Sequence, residues 1–184
     1  MAVGAAILWA ARRERDPRHG AFYGALVVFL GLGSFFFHAS LTYLGEGIDV
    51  LGMYLVVGYL ALHGLRRTGR LPGPLPAWFG MLAAVSTAVL AYEPSHRLRR
   101  PLFSGLVALL LAVECLPAAR PLDRRFLAAA LALFLAAFGI WNLDQRKIVC
   151  SPESWFQGHA AWHLLCAAAL GMLFAYYRSE REEL

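Results

Sequence analysis

Six stretches of nearly unbroken apolar sequence, each close to the length of a bilayer core, restrict what this chain can fold into more than any other feature. They run Ala21–Gly45, Ile48–Leu65, Pro74–Tyr92, Pro101–Leu116, Phe126–Leu143 and Trp155–Tyr177, and a helical span needs about 20 residues. Hydrocarbon offers no hydrogen bonds to a backbone, so such segments must be helices whose N–H and C=O groups pair internally. Ahead of them, MAVGAAILWAA at residues 1–11 is apolar and runs straight into RRERDPRHG. It is about half a span long. Lacking the basic leader and cleavage site of a signal peptide, it reads as the inner half of a truncated first span. The expectation is an all-α polytopic membrane protein, a seven-transmembrane-helix bundle with its first helix truncated. Short connections, with no repeat, linker or low-complexity tract, predict one helical domain over residues 1–184.

Composition agrees with a bilayer as solvent. Hydrophobic residues make up 59% of the chain and charged residues 16%, where soluble domains have about 45–50% and about 25%. A net charge of +5 would suit nucleic acid, yet Lys147 is the only lysine and the arginines fall in short clusters between apolar runs. That is the pattern of membrane loops rather than of a basic face, so no nucleic-acid partner is expected. Cys115, Cys150 and Cys166 are an odd set, two of them inside apolar runs, and predict no disulfide framework.

Loop charge sets orientation, because basic residues are retained on the cytoplasmic side. With the carboxyl terminus inside, the inner loops hold Arg12, Arg13, Arg15, Arg18, Arg66, Arg67, Arg70, Arg120, Arg124, Arg125, Arg178 and Arg181. The outer loops then hold only Arg97, Arg99, Arg100, Arg146 and Lys147. This split predicts seven spans in a bacterial inner membrane or its equivalent, with the carboxyl terminus cytoplasmic.

Ionisable residues inside a bilayer cost a few kcal/mol or more each and are functional hypotheses by default. His38, Asp49, His159 and His163 stand out. In QGHAAWHLL, His159 and His163 are four residues apart and share one helix face, so both imidazoles can reach one metal. The plainer reading is a pair satisfied by ordinary hydrogen bonds. In GLGSFFFHASLTYLGEGID, Ser34 and His38 are again four apart, with the helix expected to end near Gly45, turn through Gly-Glu-Gly and return with Asp49 at the start of the next span. Counting from those ends at about 1.5 Å per residue, His38 lies roughly 10 Å deep and His159 and His163 roughly 6 and 12 Å deep. Three histidines from distant parts of the sequence thus reach similar depths.

Three neutral imidazoles and a water form a common catalytic zinc set, with an open position where water is acidified to a pKa of about 7. Iron and manganese suit the same donors. Ala160 follows His159, so this is not the HExxH pattern and no glutamate on that helix can serve as base. Asp49 is then the candidate base, passing a proton to the leaving group, or else a partner that orients an imidazole. Ser34 would bond the substrate carbonyl or the reactive water, or else its own backbone. Glu114, near Arg120, reads as snorkelling, and His19, His63 and His96, in loops or at span ends, need no special role. Trp141, Trp155 and Trp162 read as an aromatic belt.

At these residues the chain resembles the alkaline ceramidase family, within a superfamily that includes adiponectin-receptor-like proteins. The matching features are Ser34-x3-His38, Asp49 eleven residues after His38, His159-x3-His163, and the local strings GLGSFFFH, WNLD at Trp141–Asp144 and HAAWH. The likeness runs from about Ala21 to Tyr177. It implies a seven-helix fold, zinc held by His38, His159 and His163, and Ser34 and Asp49 completing a site that hydrolyses ceramide, or another N-acyl lipid, to an amine and a fatty acid. Calcium-binding members use an acidic, tryptophan-containing segment before and within the first helix, and this chain begins after that point, so no calcium site is expected. Cys150 resembles a cysteine that pairs with that segment and is expected to be free. Two other functions fit the same residues: a seven-helix receptor or binding protein with a structural metal, and a lipid esterase using the same centre.

Overall fold

A computed structural model of the chain describes residues 1–14, 17–92, 97–118, 120–148 and 157–180. Those residues form seven helices and no strand: α1 (Ala2–Ala11), α2 (Arg18–Ser40), α3 (Tyr43–Arg67), α4 (Leu75–Tyr92), α5 (Arg99–Glu114), α6 (Arg124–Gln145) and α7 (Gly158–Arg178). Five of them, α2, α3, α4, α6 and α7, are long and apolar enough to cross a membrane. The architecture is that of an all-α polytopic membrane protein. The apolar run at Pro101–Leu116 falls short of the expectation, because α5 has 16 residues, carries Arg99 and Arg100 in its first turn, and ends at Glu114, three residues ahead of Pro117.

The chain divides into two compact units, Met1–Ala119 and Arg120–Leu184. In the first, α3 is the central element and packs against α2, α4 and α5. Buried on more than one side, it supplies Tyr54, Val56 and Leu60, which with Tyr23 of α2 are the largest fully buried side chains among the described residues. Small residues set how closely the helices approach. A Cβ on Gly4 of α1 would lie 2.7 Å from the Val28 backbone nitrogen, and one on Gly24 of α2 would lie 2.9 Å from Leu8 Cγ.

The turn between α2 and α3 is tighter than the sequence suggests. α2 ends at Ser40, Leu41 takes a left-handed conformation at φ 50°, and Thr42 caps α3 by accepting the Gly45 N–H on its hydroxyl at 3.0 Å. Threonine is a strong N-cap because its oxygen satisfies one of the orphan donors of the first turn. The Gly45-Glu46-Gly47 segment, expected as the turn, therefore lies in the first turn of α3.

In the second unit α6 and α7 run antiparallel. Asp123 caps α6 through the Arg125 N–H, and the backbone N–H of Asp123 donates to Ser179 Oγ past the end of α7 at 2.9 Å. At the other end, Gly158 of α7 meets Asp144 of α6. Ala130 and Ala137 of α6 and Ala169 of α7 are buried.

Because Gly4 meets backbone while Gly80 of α4 meets nothing within 4 Å, the two should respond oppositely to a methyl group. Gly4→Ala is expected to lower the melting temperature of the detergent-solubilised protein. Gly80→Ala is expected to leave it unchanged or raise it, by about 0.5–1 kcal/mol of stability, since alanine favours helix interiors over glycine. Equal effects at both positions would remove α1 packing as a contributor.

Candidate functional site

In the first unit, the close approach of α2 and α3 brings Ser34, His38 and Asp49 together. Three contacts form the seam: a Cβ on Gly33 would stand 3.0 Å from Ile48, one on Gly45 3.0 Å from the Phe37 Cα, and one on Gly52 2.9 Å from the Leu30 Cα. On α2 these positions are 30, 33 and 37, and on α3 they are 45, 48 and 52, the i, i+3, i+7 stripe of two helix faces in contact. Ser34 and Asp49 flank the middle contact. With the backbones this close, the Ser34 hydroxyl donates to the Asp49 carboxylate, and the His38 imidazole lies within electrostatic reach of the same carboxylate.

The tight turn moves these residues relative to their helix ends. His38 lies two residues before the end of α2 and Asp49 six residues into α3. His38 is thus only about 3 Å of helical rise from the end of α2, not about 10 Å, and Asp49 is not at the start of its span. The cause is the cap at Thr42, which starts α3 five residues earlier than Ile48. The His38 side chain is exposed, while Ser34 and Asp49 are half-buried.

In the second unit, His159 and His163 lie one turn apart in the first two turns of α7, both half-buried. Their Nε2 atoms are 3.0 Å apart with the ring planes at 80°. Two nitrogens bound at about 2.0–2.1 Å to one tetrahedral zinc are roughly 3.3 Å apart. The 3.0 Å separation is that of a hydrogen bond between the two rings and is also close to this spacing, so the pair fits a transition metal by donor type and distance. His159 is the second residue of α7, and the sequence start at Trp155 falls outside the described residues, as do Cys150 and His96. Gly158 is required here, since a Cβ would sit 2.9 Å from both Cβ and Oδ1 of Asp144. Trp162, beside His163, packs on Trp141 at 5.9 Å and on Phe134 at 6.0 Å between ring centroids. These tryptophans therefore hold α7 against α6 beyond any role at a membrane surface.

Several residues dismissed from sequence are neither loop nor surface groups. His19 belongs to α2 and stacks on His63 of α3 at 3.6 Å between centroids, with Nδ1 2.9 Å from the Tyr59 hydroxyl. Glu114 does not snorkel: its side chain is 4% exposed and faces Arg67 at 3.8 Å. Arg99, counted as a loop charge, is the first residue of α5 and is buried. Spacing along one helix cannot reveal such partners, because each is supplied by another helix. Cys115 and Cys166 are free thiols.

Compared with known protein families, residues 1–183 match the family described as Ceramidase. No curated protein and no solved structure matches the chain.

The Thr42 cap fixes where α3 begins and thereby where Asp49 stands opposite Ser34. Thr42→Ala is expected to cost about 1 kcal/mol, read as a lowered melting temperature in detergent, whereas Thr42→Ser should retain most of the stability. A Thr42→Ser protein as unstable as Thr42→Ala would show that the hydroxyl is not what holds the turn.

Proposed function

The chain belongs to the ceramidase family, and from that premise we propose that it is a zinc-dependent intramembrane hydrolase cleaving the amide bond of ceramide or a related N-acyl lipid. Family membership makes it an amide-bond hydrolase. The observation that carries the finer reading is the His159–His163 pair, whose Nε2 atoms stand 3.0 Å apart on α7; His38 is proposed as the third imidazole of the donor set for a metal ion. When bound, such an ion supplies Lewis acidity and a position at which water is acidified to a pKa of about 7.

The chain's own residues supply the rest. Asp49 takes the proton of the attacking water as the C–O bond forms and the carbonyl carbon becomes tetrahedral. It then returns that proton to the amine nitrogen as the C–N bond breaks, so that one water and one amide give one fatty acid and one amine. Ser34, which donates to Asp49, turns its hydroxyl to the carbonyl oxygen when substrate is present and stabilises the charge developing there. The reading treats residues 1–184 as one working helical domain in a bacterial inner membrane or its equivalent. Its carboxyl terminus is cytoplasmic, and the substrate enters from the outer leaflet.

Three outcomes are expected. Purified protein should hold about one zinc per chain by elemental analysis, and His163→Ala much less; equal metal in both would remove His163 from the ligands. Asp49→Asn should keep the metal and lose about 10²–10⁴ in the rate of fatty-acid release, measured by mass spectrometry on a mixed N-acyl and O-acyl lipid library with and without chelator. Unchanged turnover would exclude Asp49 from the chemistry, and O-acyl cleavage alone would make the protein an esterase. A reporter fused after Leu184 should behave as cytoplasmic, and a periplasmic signal would reverse the topology.

A further inference from the structure

The end of the first unit away from Ser34 and Asp49 carries its exposed charge as arginine. There α1 ends at Ala11, α2 begins at Arg18, α3 ends at Arg67 and α4 begins at Leu75. The stacking of His19 on His63 puts the start of α2 and the end of α3 side by side, and Arg70 reaches the carbonyl of Pro117, three residues beyond α5. Arg12, Arg13, Arg18, Arg66 and Arg70 are all exposed at this end. Of the described carboxylates here, Glu14 is half-buried, and Glu114 is buried and faces Arg67. The accessible surface of the described residues at this end is therefore cationic, with no exposed acid to compensate it.

The arginines are also held in place. After α3 the chain turns through Gly69 at φ 70° and Gly73 at φ 71°, and three side chains bond carbonyls of that loop. Arg66 Nη1 donates to Gly73 at 3.3 Å, Arg70 Nη1 to Thr68 at 3.2 Å, and Trp78 Nε1 to Pro72 at 2.6 Å. Each guanidinium uses one nitrogen in these bonds, out of a planar fork of donors that matches phosphate oxygens. A loop ordered before its ligand arrives loses little freedom on binding. Arg13 is placed in a similar way, its guanidinium carbon 3.8 Å from the centroid of the Trp9 ring. Tryptophans at helix ends settle at the headgroup level of a bilayer. Trp9, near the end of α1, and Trp78, in the first turn of α4, both stand at this end, which sets the arginines level with lipid phosphates.

We propose that this end of the first unit is a docking surface for anionic phospholipid, whose phosphates bridge the turn between α1 and α2 and the loop between α3 and α4. The occupant is a lipid rather than a soluble anion, because the aromatic anchors hold the arginines at the membrane surface, where charge and position both favour a headgroup. A bound headgroup ties together the ends of α2 and α3 opposite to those that carry Ser34, His38 and Asp49. The surface stands apart from the hydrolase reading.

The test is native mass spectrometry of the purified full chain in mild detergent, titrated with equal amounts of phosphatidylglycerol and phosphatidylcholine of matched chains. Each arginine held near a surface favours an anionic lipid by about fivefold, so wild type is expected to retain phosphatidylglycerol over phosphatidylcholine by about tenfold or more. Arg66→Gln with Arg70→Gln should bring that preference within about threefold, and so should Arg12→Gln with Arg18→Gln, which leaves the bonds of the α3–α4 loop intact. Arg146→Gln with Lys147→Gln removes as much charge just past α6 and should leave the preference as it is. Excess glycerol phosphate, the anion without acyl chains, should not displace the lipid. A wild type without the preference, a folded double variant of this surface that keeps it, or an equal loss in the α6 control overturns the surface. Displacement by glycerol phosphate overturns the lipid as occupant. If the loop variant does not fold, the wild type and the Arg12→Gln, Arg18→Gln protein decide.

Discussion

Where Gly33, Gly45 and Gly52 stand, α2 and α3 come so near that a methyl group would meet Ile48, Phe37 and Leu30 at 2.9–3.0 Å. Water drives no helix association inside a bilayer, so such seams rest on van der Waals packing between small residues. This one fixes the register of the hairpin. It thereby sets Ser34 opposite Asp49 with His38 one turn along, and it leaves the outer face of α3 to α4 and α5. A larger side chain at any of the three glycines would part the helices and separate the serine from the aspartate before it disturbed any distant contact.

The charges of the first unit follow from the same low dielectric. An isolated ion in hydrocarbon is far more costly than a paired one. Accordingly, Arg67 faces Glu114 near one end of α3, and Arg99 faces Glu46 near the other. His19 and His63 stack between α2 and α3 with Tyr59 bonded to the first. These groups hold the bundle in one arrangement at both ends of α3. Of the two ion pairs, the one at Glu46 lies three residues along α3 from Asp49.

The second unit solves a simpler problem with different means. Two antiparallel helices are pinned at one end by the Asp123 N–H on Ser179 and at the other by Gly158 against Asp144, with tryptophan packing between. Pinning the start of α7 matters because its first two turns carry both imidazoles. An i, i+4 pair needs only an ordinary helix to converge, so these two imidazoles tolerate a plain hairpin as their support.

Much of this was legible in the sequence, for local reasons. Apolar runs of bilayer length admit only helices, so the all-α fold followed from solvent alone. His159 and His163 were readable as a pair because helical periodicity puts them on one face, and Ser34 and His38 for the same reason. What periodicity cannot report is the partner across an interface. The Ser34–Asp49 bond, the His19–His63 stack and the Glu114–Arg67 pair each join two helices. The burial of Arg99, which sequence alone placed in a loop, depends on α3 supplying Glu46 and Tyr43. The turn was misplaced because Gly-Glu-Gly is the stronger local breaker, while the Thr42 cap that starts α3 earlier acts together with the tight seam behind it. Sequence determined which residues could do chemistry, since types and spacings are written in it. Tertiary structure decided which of them meet, since that depends on how closely two backbones can approach.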